Sequence, residues 1–156
     1  ALAELDLMSD HRVLDLYCGI GNFTLPIARR ANRVLGIELA NAQVERARRN
    51  AEKNGLANAE FLAADLGEIG GHEAWLRAGW DRMLLDPARS GAEAVVRQAA
   101  VLGVPRIVYV SCHPGTLARD AGILVHEAGY RLEAAGIVDM FPHTGHVESM
   151  AVFQKD

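Results

Sequence analysis

The chemistry in this sequence starts at Cys112. It closes an apolar run, Val108-Tyr109-Val110-Ser111, and is followed by His113-Pro114. A short apolar run reads as a buried strand. Proline breaks a strand but is tolerated in a first helical turn, so Pro114 is expected to open a helix. The thiol then sits at the carboxyl end of a strand, facing the amino end of a helix. That edge is where open α/β sheets bind ligands. A free cysteine is equally often a small buried apolar residue. Position alone does not choose between a nucleophile and a core residue.

Four acids and a glycine turn add to the picture. Cys18-Gly19-Ile20-Gly21-Asn22-Phe23 follows the apolar stretch Arg12–Tyr17, which contains Asp15. Gly19 and Gly21 let the backbone turn sharply and let a ligand approach it. Glu38 ends the next apolar stretch, where a carboxylate can accept hydrogen bonds from both hydroxyls of a ribose. Asp65 follows a third strand and can accept from an adenine amino group, although Asp is also a common helix cap. Asp86 follows a fourth strand, and if the strand order is 3-2-1-4-5 it is expected beside the glycine turn, between a cofactor and its substrate. A pyrophosphate cofactor wants a third glycine near the helix start, and a phosphate loop wants Gly-Lys-Ser/Thr; neither is present. S-adenosylmethionine carries a ribose, an adenine and a sulfonium but no phosphate, and it fits the acids best.

The elements that must hold these groups alternate between strand and helix. Strands are expected over 12–17, 33–38, 60–64, 82–85 and 104–111. Helices are expected over 1–10, 24–30, 41–54, 68–78, 92–102 and 116–128. Within the third of these helices Ala42, Val44, Ala47 and Ala51 are expected to face inward. The last two strands, 131–140 and 146–153, are joined by the turn Phe141-Pro142-His143-Thr144-Gly145 and should form an antiparallel hairpin. If the final strand runs antiparallel beside the strand ending at Cys112, its first residues meet that strand's carboxyl end. Glu148 then comes near Cys112. The fold class is α/β: a Rossmann-like, seven-stranded, mostly parallel sheet of order 3-2-1-4-5-7-6 with the seventh strand antiparallel and helices on both faces.

The 156 residues suffice for one domain with a real core. Half are apolar and 23% are charged, and the net charge of −4 argues mildly against nucleic-acid binding by this chain alone. Two cysteines can neither build a disulfide framework nor hold an iron–sulfur cluster alone, and a cytoplasmic setting is expected. No apolar run reaches the roughly 18 residues of a membrane span, so no membrane role is expected. His143 and His146 have no third ligand in register, so no metal is expected. The sequence opens with no helix cap and reads as a piece of something longer.

Four segments carry a resemblance: Leu14–Thr24, Leu85–Gly91, Val110–Pro114 and Asp139–Glu148. They resemble the RNA uracil-C5 methyltransferases over nearly the whole chain, and most closely the branch acting on a uridine of 23S ribosomal RNA. The resemblance implies S-adenosylmethionine as cofactor and Cys112 as the nucleophile, with Glu148 as general base. It implies that Tyr17, Asn22, Glu38, Asp65 and Asp86 contact or border the cofactor. It also implies that residues 1–156 are the catalytic domain alone, without the family's RNA-binding barrel and iron–sulfur domain, and a monomer is expected. Two residues depart from the pattern: His113 stands where Asn is usual, and Gly115 where Ala or a similar residue is usual. A neutral His can still form a hydrogen bond, so tolerance is expected. Two alternatives stay open: methylation of another RNA such as tRNA, and an isolated S-adenosylmethionine-binding domain without catalysis.

Overall fold

The computed structural model describes residues 1–138 and 148–155. The strands are β1 (Arg12–Leu16), β2 (Arg33–Glu38), β3 (Ala59–Ala63), β4 (Arg82–Leu85), β5 (Arg106–Ser111), β6 (Arg131–Val138) and β7 (Glu148–Gln154). The helices are α1 (Thr24–Ala28), α2 (Asn41–Lys53), α3 (Glu93–Arg97), α4 (Ala99–Leu102) and α5 (Pro114–His126), with one 3₁₀ turn at Ala74–Arg77. The seven strands form one sheet in the order β3-β2-β1-β4-β5-β7-β6. The first five run parallel, and β7 is antiparallel to both β5 and β6. This is the architecture expected from the alternation of apolar runs.

The central strands are apolar throughout because both faces are covered. Leu14, Leu16, Met83, Leu85, Ile107, Tyr109, Ala151 and Phe153 point to one face, where they pack with Val95, Leu102, Leu117 and Leu124. Their neighbours Val13, Leu84, Val108 and Val152 point to the other, against Leu5 and Ile27. A third cluster joins Val44, Ala47 and Ala51 of α2 to Phe61 and Cys18. Gly36 leaves room for that cluster: a Cβ there would lie 2.9 Å from both Cys18 Sγ and a Phe61 ring carbon.

Several boundaries differ from the sequence expectation. The helix expected over 1–10 is a single turn, closed by the Glu4 and Leu5 amides on the Ala1 carbonyl and ended by Asp6 at a φ of 49°. Leu5 is buried, but Met8 is 55% exposed. The helix expected over 68–78 shrinks to the 3₁₀ turn, because Gly71 takes a φ of 82°. The helix expected over 92–102 is split at Gln98, whose φ of −90° and ψ of 0° interrupt it. Ala42 is exposed rather than inward, so α2 buries a narrower stripe. The turn over 141–145, with His143 and His146, lies outside the described residues. No described helix is long and apolar enough to cross a membrane.

Candidate active site

The glycine turn is built by three consecutive departures from extended backbone. Tyr17 leaves β1 at a φ of 64°, and Gly19 and Gly21 follow at 54° and 89°. A left-handed conformation is uncommon for a tyrosine and marks a constrained turn. Glu38 holds that turn to the end of β2. One carboxylate oxygen accepts from the Gly19 amide at 3.2 Å and the other from the Ala40 amide at 3.1 Å. A carboxylate offers about four lone-pair positions, so Glu38 keeps capacity for hydroxyl donors. Asp65 accepts from the Gly67 amide at 2.7 Å. It makes an Asx turn rather than capping a helix, since the next helical turn begins only at Ala74.

These residues surround a cavity of about 360 Å³ lined by Tyr17, Gly19, Glu38, Leu39, Gln43, Asp65, Leu66, Gly67, Asp86 and Ala88. Five of the expected cofactor residues therefore meet in one cavity: Tyr17, Gly19, Glu38, Asp65 and Asp86. Gly21 and Asn22 do not line it. Gly21 serves packing, because a Cβ there would lie 2.5 Å from Leu25 Cδ1. Asn22 is exposed. Leu39 and Gln43 were not foreseen. Leu39 is 64% exposed directly after the strand-end acid, and an apolar residue stranded at that position was the available signal.

Asp15 is fully buried. It accepts a short hydrogen bond from the Thr24 hydroxyl, tying β1 to α1, and its other oxygen has no partner among the described residues. Burial, with a smaller push from Asp86, raises its pKa to about 7. The two thiols differ sharply. Cys18 is buried, and its burial together with Asp15 and Glu38 pushes it up to about 12. It is a core residue. Cys112 is only half-buried at the carboxyl end of β5.

The β5–β7 ladder ends at Ser111 opposite Ser149, and the Ser149 hydroxyl donates to the Ser111 carbonyl at 3.1 Å. Cys112 and Glu148 are the next residues beyond that last pair, at the same end of the two strands. Asp86 completes the group. Its pKa is raised to about 6, first by burial and then by the charge of Glu148. The departure at His113 also finds its place. His113 Nδ1 accepts from the Thr116 amide at 3.2 Å and caps α5, with Pro114 in the first turn. An asparagine at the same position can make an equivalent cap.

Sheet order, the antiparallel β7 and the glycine turn under a strand-end acid define the Rossmann-like class I S-adenosylmethionine-dependent methyltransferase fold. The S-adenosylmethionine dependent methyltransferase from Mesorhizobium loti shares this fold at a TM-score of 0.75, with 17% identity, 99% of this chain and 95% of that one covered.

Within that class the assignment is narrower. A family model described as tRNA (Uracil-5-)-methyltransferase matches residues 3–71 and 76–156, and the chain belongs to this family. The 23S rRNA (uracil(1939)-C(5))-methyltransferase of Alkalilimnicola ehrlichii is 61% identical over 156 residues, covering all of this chain and 35% of that protein. The tRNA (uracil-54, C5)-methyltransferase of Pyrococcus abyssi, crystallised with S-adenosyl-L-homocysteine, aligns at a TM-score of 0.81 and 35% identity. That alignment covers 97% of this chain and 36% of that one. The chain thus spans about a third of the length of the relatives it matches.

Proposed function

We propose that this chain is the catalytic domain of a cytoplasmic enzyme that methylates C5 of a uridine in 23S ribosomal RNA, with S-adenosylmethionine as methyl donor. The observation that carries the reading is the antiparallel β5–β7 register, which leaves Cys112 and Glu148 just past the same ladder end, with Asp86 both sensing the Glu148 charge and lining the cavity of Glu38 and Asp65. Sequence identity favours ribosomal RNA: 61% to the rRNA enzyme against 35% to the tRNA enzyme.

The cavity suits the donor chemically. Glu38 would take the ribose hydroxyls, Asp65 the adenine amino group, and Leu39 and Tyr17 offer apolar surface to the adenine ring. Asp86 would face the cationic end. Once bound, the cofactor supplies an electrophilic methyl group on a sulfonium.

Uracil C5 is a poor nucleophile. Addition of the Cys112 thiolate to C6 forms an S–C6 bond and places the displaced electron pair in an enolate over C5, C4 and O4. C5 would then take the methyl group, with the sulfonium S–CH3 bond breaking to leave a neutral thioether. Glu148 removes the remaining C5 proton; the electron pair re-forms the C5–C6 double bond and the S–C6 bond breaks, returning the thiolate. This is covalent catalysis, which splits one hard step into easier ones. A positioned base contributes about 10²–10⁴-fold.

The test is trapping. Glu148→Gln is expected to accumulate a cysteine–RNA adduct on a denaturing gel at high concentrations of a 23S RNA fragment and cofactor, while Cys112→Ala forms none. Normal turnover by Glu148→Gln would remove its assigned role. Adduct formation with tRNA but not with the 23S fragment would move the substrate.

A further inference from the structure

The loop between β4 and α3 carries Asp86, and α5 follows Cys112. Nothing in the sequence obliges these two segments to keep a fixed spacing. In the structure they are fastened by one face of α5. Thr116, Arg119 and Asp120 stand at helix positions i, i+3 and i+4, which share a side. The Thr116 hydroxyl is shared between the Arg89 carbonyl at 3.2 Å and the His113 carbonyl at 3.1 Å, and Arg119 Nη2 donates to the Ser90 carbonyl at 2.9 Å. Asp120 Oδ2 accepts from the Ala92 amide at 2.7 Å. Gly91 fits between them at a φ of 81°: a Cβ there would lie 2.6 Å from Arg119 Nη2, 2.7 Å from Asp120 Oδ2 and 3.0 Å from Thr116 Cβ.

Asp120 is the centre of this fastening. It is fully buried, yet its carboxylate reaches three elements. Besides Ala92 it accepts from the Tyr109 hydroxyl at 2.6 Å, and Tyr109 lies on β5 three residues before Cys112. Its other oxygen accepts from Arg119 Nε and lies 2.8 Å from Arg119 Nη2. Burying a carboxylate is costly unless it is paired and hydrogen-bonded. Here every contact goes to a segment bordering the site. The charge also reaches the cofactor wall: Tyr17 is pushed up to about 12 by burial, then by Asp120 and Asp65.

We propose that Asp120 is a positioning residue for methyl transfer: its carboxylate fixes the Asp86–Gly91 loop against the strand and helix that carry Cys112. The proposal rests on the uracil-C5 reading. It predicts a particular split in function. Glu38, Asp65 and the glycine turn hold the cofactor from β1–β3 and do not touch Asp120. Only Asp86 and Ala88 bring the fastened loop to the cavity, so loss of Asp120 should weaken cofactor binding less than it disturbs the Asp86-to-Cys112 geometry. Misplacement by about 1 Å can cost on the order of 10²-fold in rate.

The experiment compares wild type, Asp120→Asn and Tyr109→Phe. Adduct formation with 5-fluorouridine-substituted 23S RNA fragments is followed at saturating cofactor, and cofactor Kd is measured by calorimetry. Asp120→Asn is expected to slow adduct formation by roughly 10–100-fold, with a clearly smaller fold-loss of cofactor affinity. Tyr109→Phe, which deletes one hydroxyl, is expected to show the same split at smaller amplitude. Hydrogen exchange supplies a readout free of activity: the Ala92 amide and the 86–91 loop lose protection in Asp120→Asn while β1 and β2 keep theirs. Equal losses in rate and affinity, or an adduct rate within twofold of wild type, would overturn the proposal. So would unchanged exchange at Ala92. If Asp120→Asn unfolds, Tyr109→Phe decides on the same criteria. A wild type that forms no adduct counts against the uracil reading alone, and exchange at Ala92 then decides whether the fastening exists.

Discussion

The two halves of the sheet build their parts of the site in different ways. The β1–β3 half works locally. Tyr17, Gly19 and Gly21 bend the chain straight after β1, and Glu38 holds the bend with one hydrogen bond from the end of the adjacent strand. Asp65 makes its turn with the residue two positions on. The β4–β7 half works at long range. Glu148 and Cys112 share one end of the sheet only through the antiparallel register of β7 on β5. The Asp86 amide donates to the Leu16 carbonyl, and the loop that follows it is held at Arg89, Ser90 and Ala92 by three contacts from α5. A binding surface of backbone turns can be pre-formed by short segments. A reacting group must be assembled from separated ones, and it inherits the precision of whatever fastens them.

The largest expected effect tests how firmly the local half is built. Asp15 ties β1 to α1 under the glycine turn and has a pKa of about 7. An unfolded chain loses this proton near pH 4. Between about pH 4 and 7 the folded state therefore holds more protons than the unfolded one, and stability falls as pH rises through that window. Asp15→Asn removes this titration. Urea unfolding at several pH values is expected to show the variant gaining on wild type, by up to a few kcal/mol, as pH rises from 4 to 8. A constant difference across that range would mean that Asp15 is ionised in the folded protein.

The next effect sits at the seam between the halves. Asp86 lines the cofactor cavity, yet its pKa of about 6 owes part of its shift to Glu148. A cation bound in the cavity favours the ionised carboxylate. S-adenosylmethionine affinity is expected to be highest above pH 6 and to weaken as pH falls through it, approaching tenfold per pH unit well below. Glu148→Gln removes the neighbouring charge and should move the fall to lower pH. Calorimetry between pH 5 and 8 measures both. Flat affinity would show that Asp86 does not face the cation, leaving the two halves uncoupled.

What the sequence disclosed follows the same division. Strand order, the glycine turn, Glu38 and Asp65 were legible because periodicity and turn chemistry are local signals. The antiparallel β7 was legible as well, since a short connection between two β-rich runs implies a hairpin, and it begins at Glu148. Asn22 and Gly21 were expected at the cavity but lie off it. Spacing within a turn names the residues that bend the chain, not those that end up facing the ligand. The helices expected over 1–10, 68–78 and 92–102 failed where a positive φ or a broken turn interrupted an acceptable apolar period. Asp120 could not have been found, because an Asp in mid-helix looks like a solvated residue until Tyr109 and Ala92 are seen around it.

The smallest expected effect concerns His113, and it shows how far a local cap can influence the assembled half. His113 Nδ1 accepts from the Thr116 amide, so the neutral ring carries its proton on Nε2. Asparagine can accept the same amide bond, and His113→Asn is expected to leave urea stability unchanged within about 0.5 kcal/mol. Alanine cannot, and His113→Ala is expected to cost about 1 kcal/mol, a typical value for a lost helix cap. Thr116 also holds the Arg89 carbonyl. Loosening the first turn of α5 should therefore reach the Asp86 loop and slow adduct formation a few-fold, while His113→Asn keeps the wild-type rate. A His113→Asn variant that folds normally but loses adduct formation would show that the imidazole acts on the substrate, in which case the cap is secondary to a chemical role.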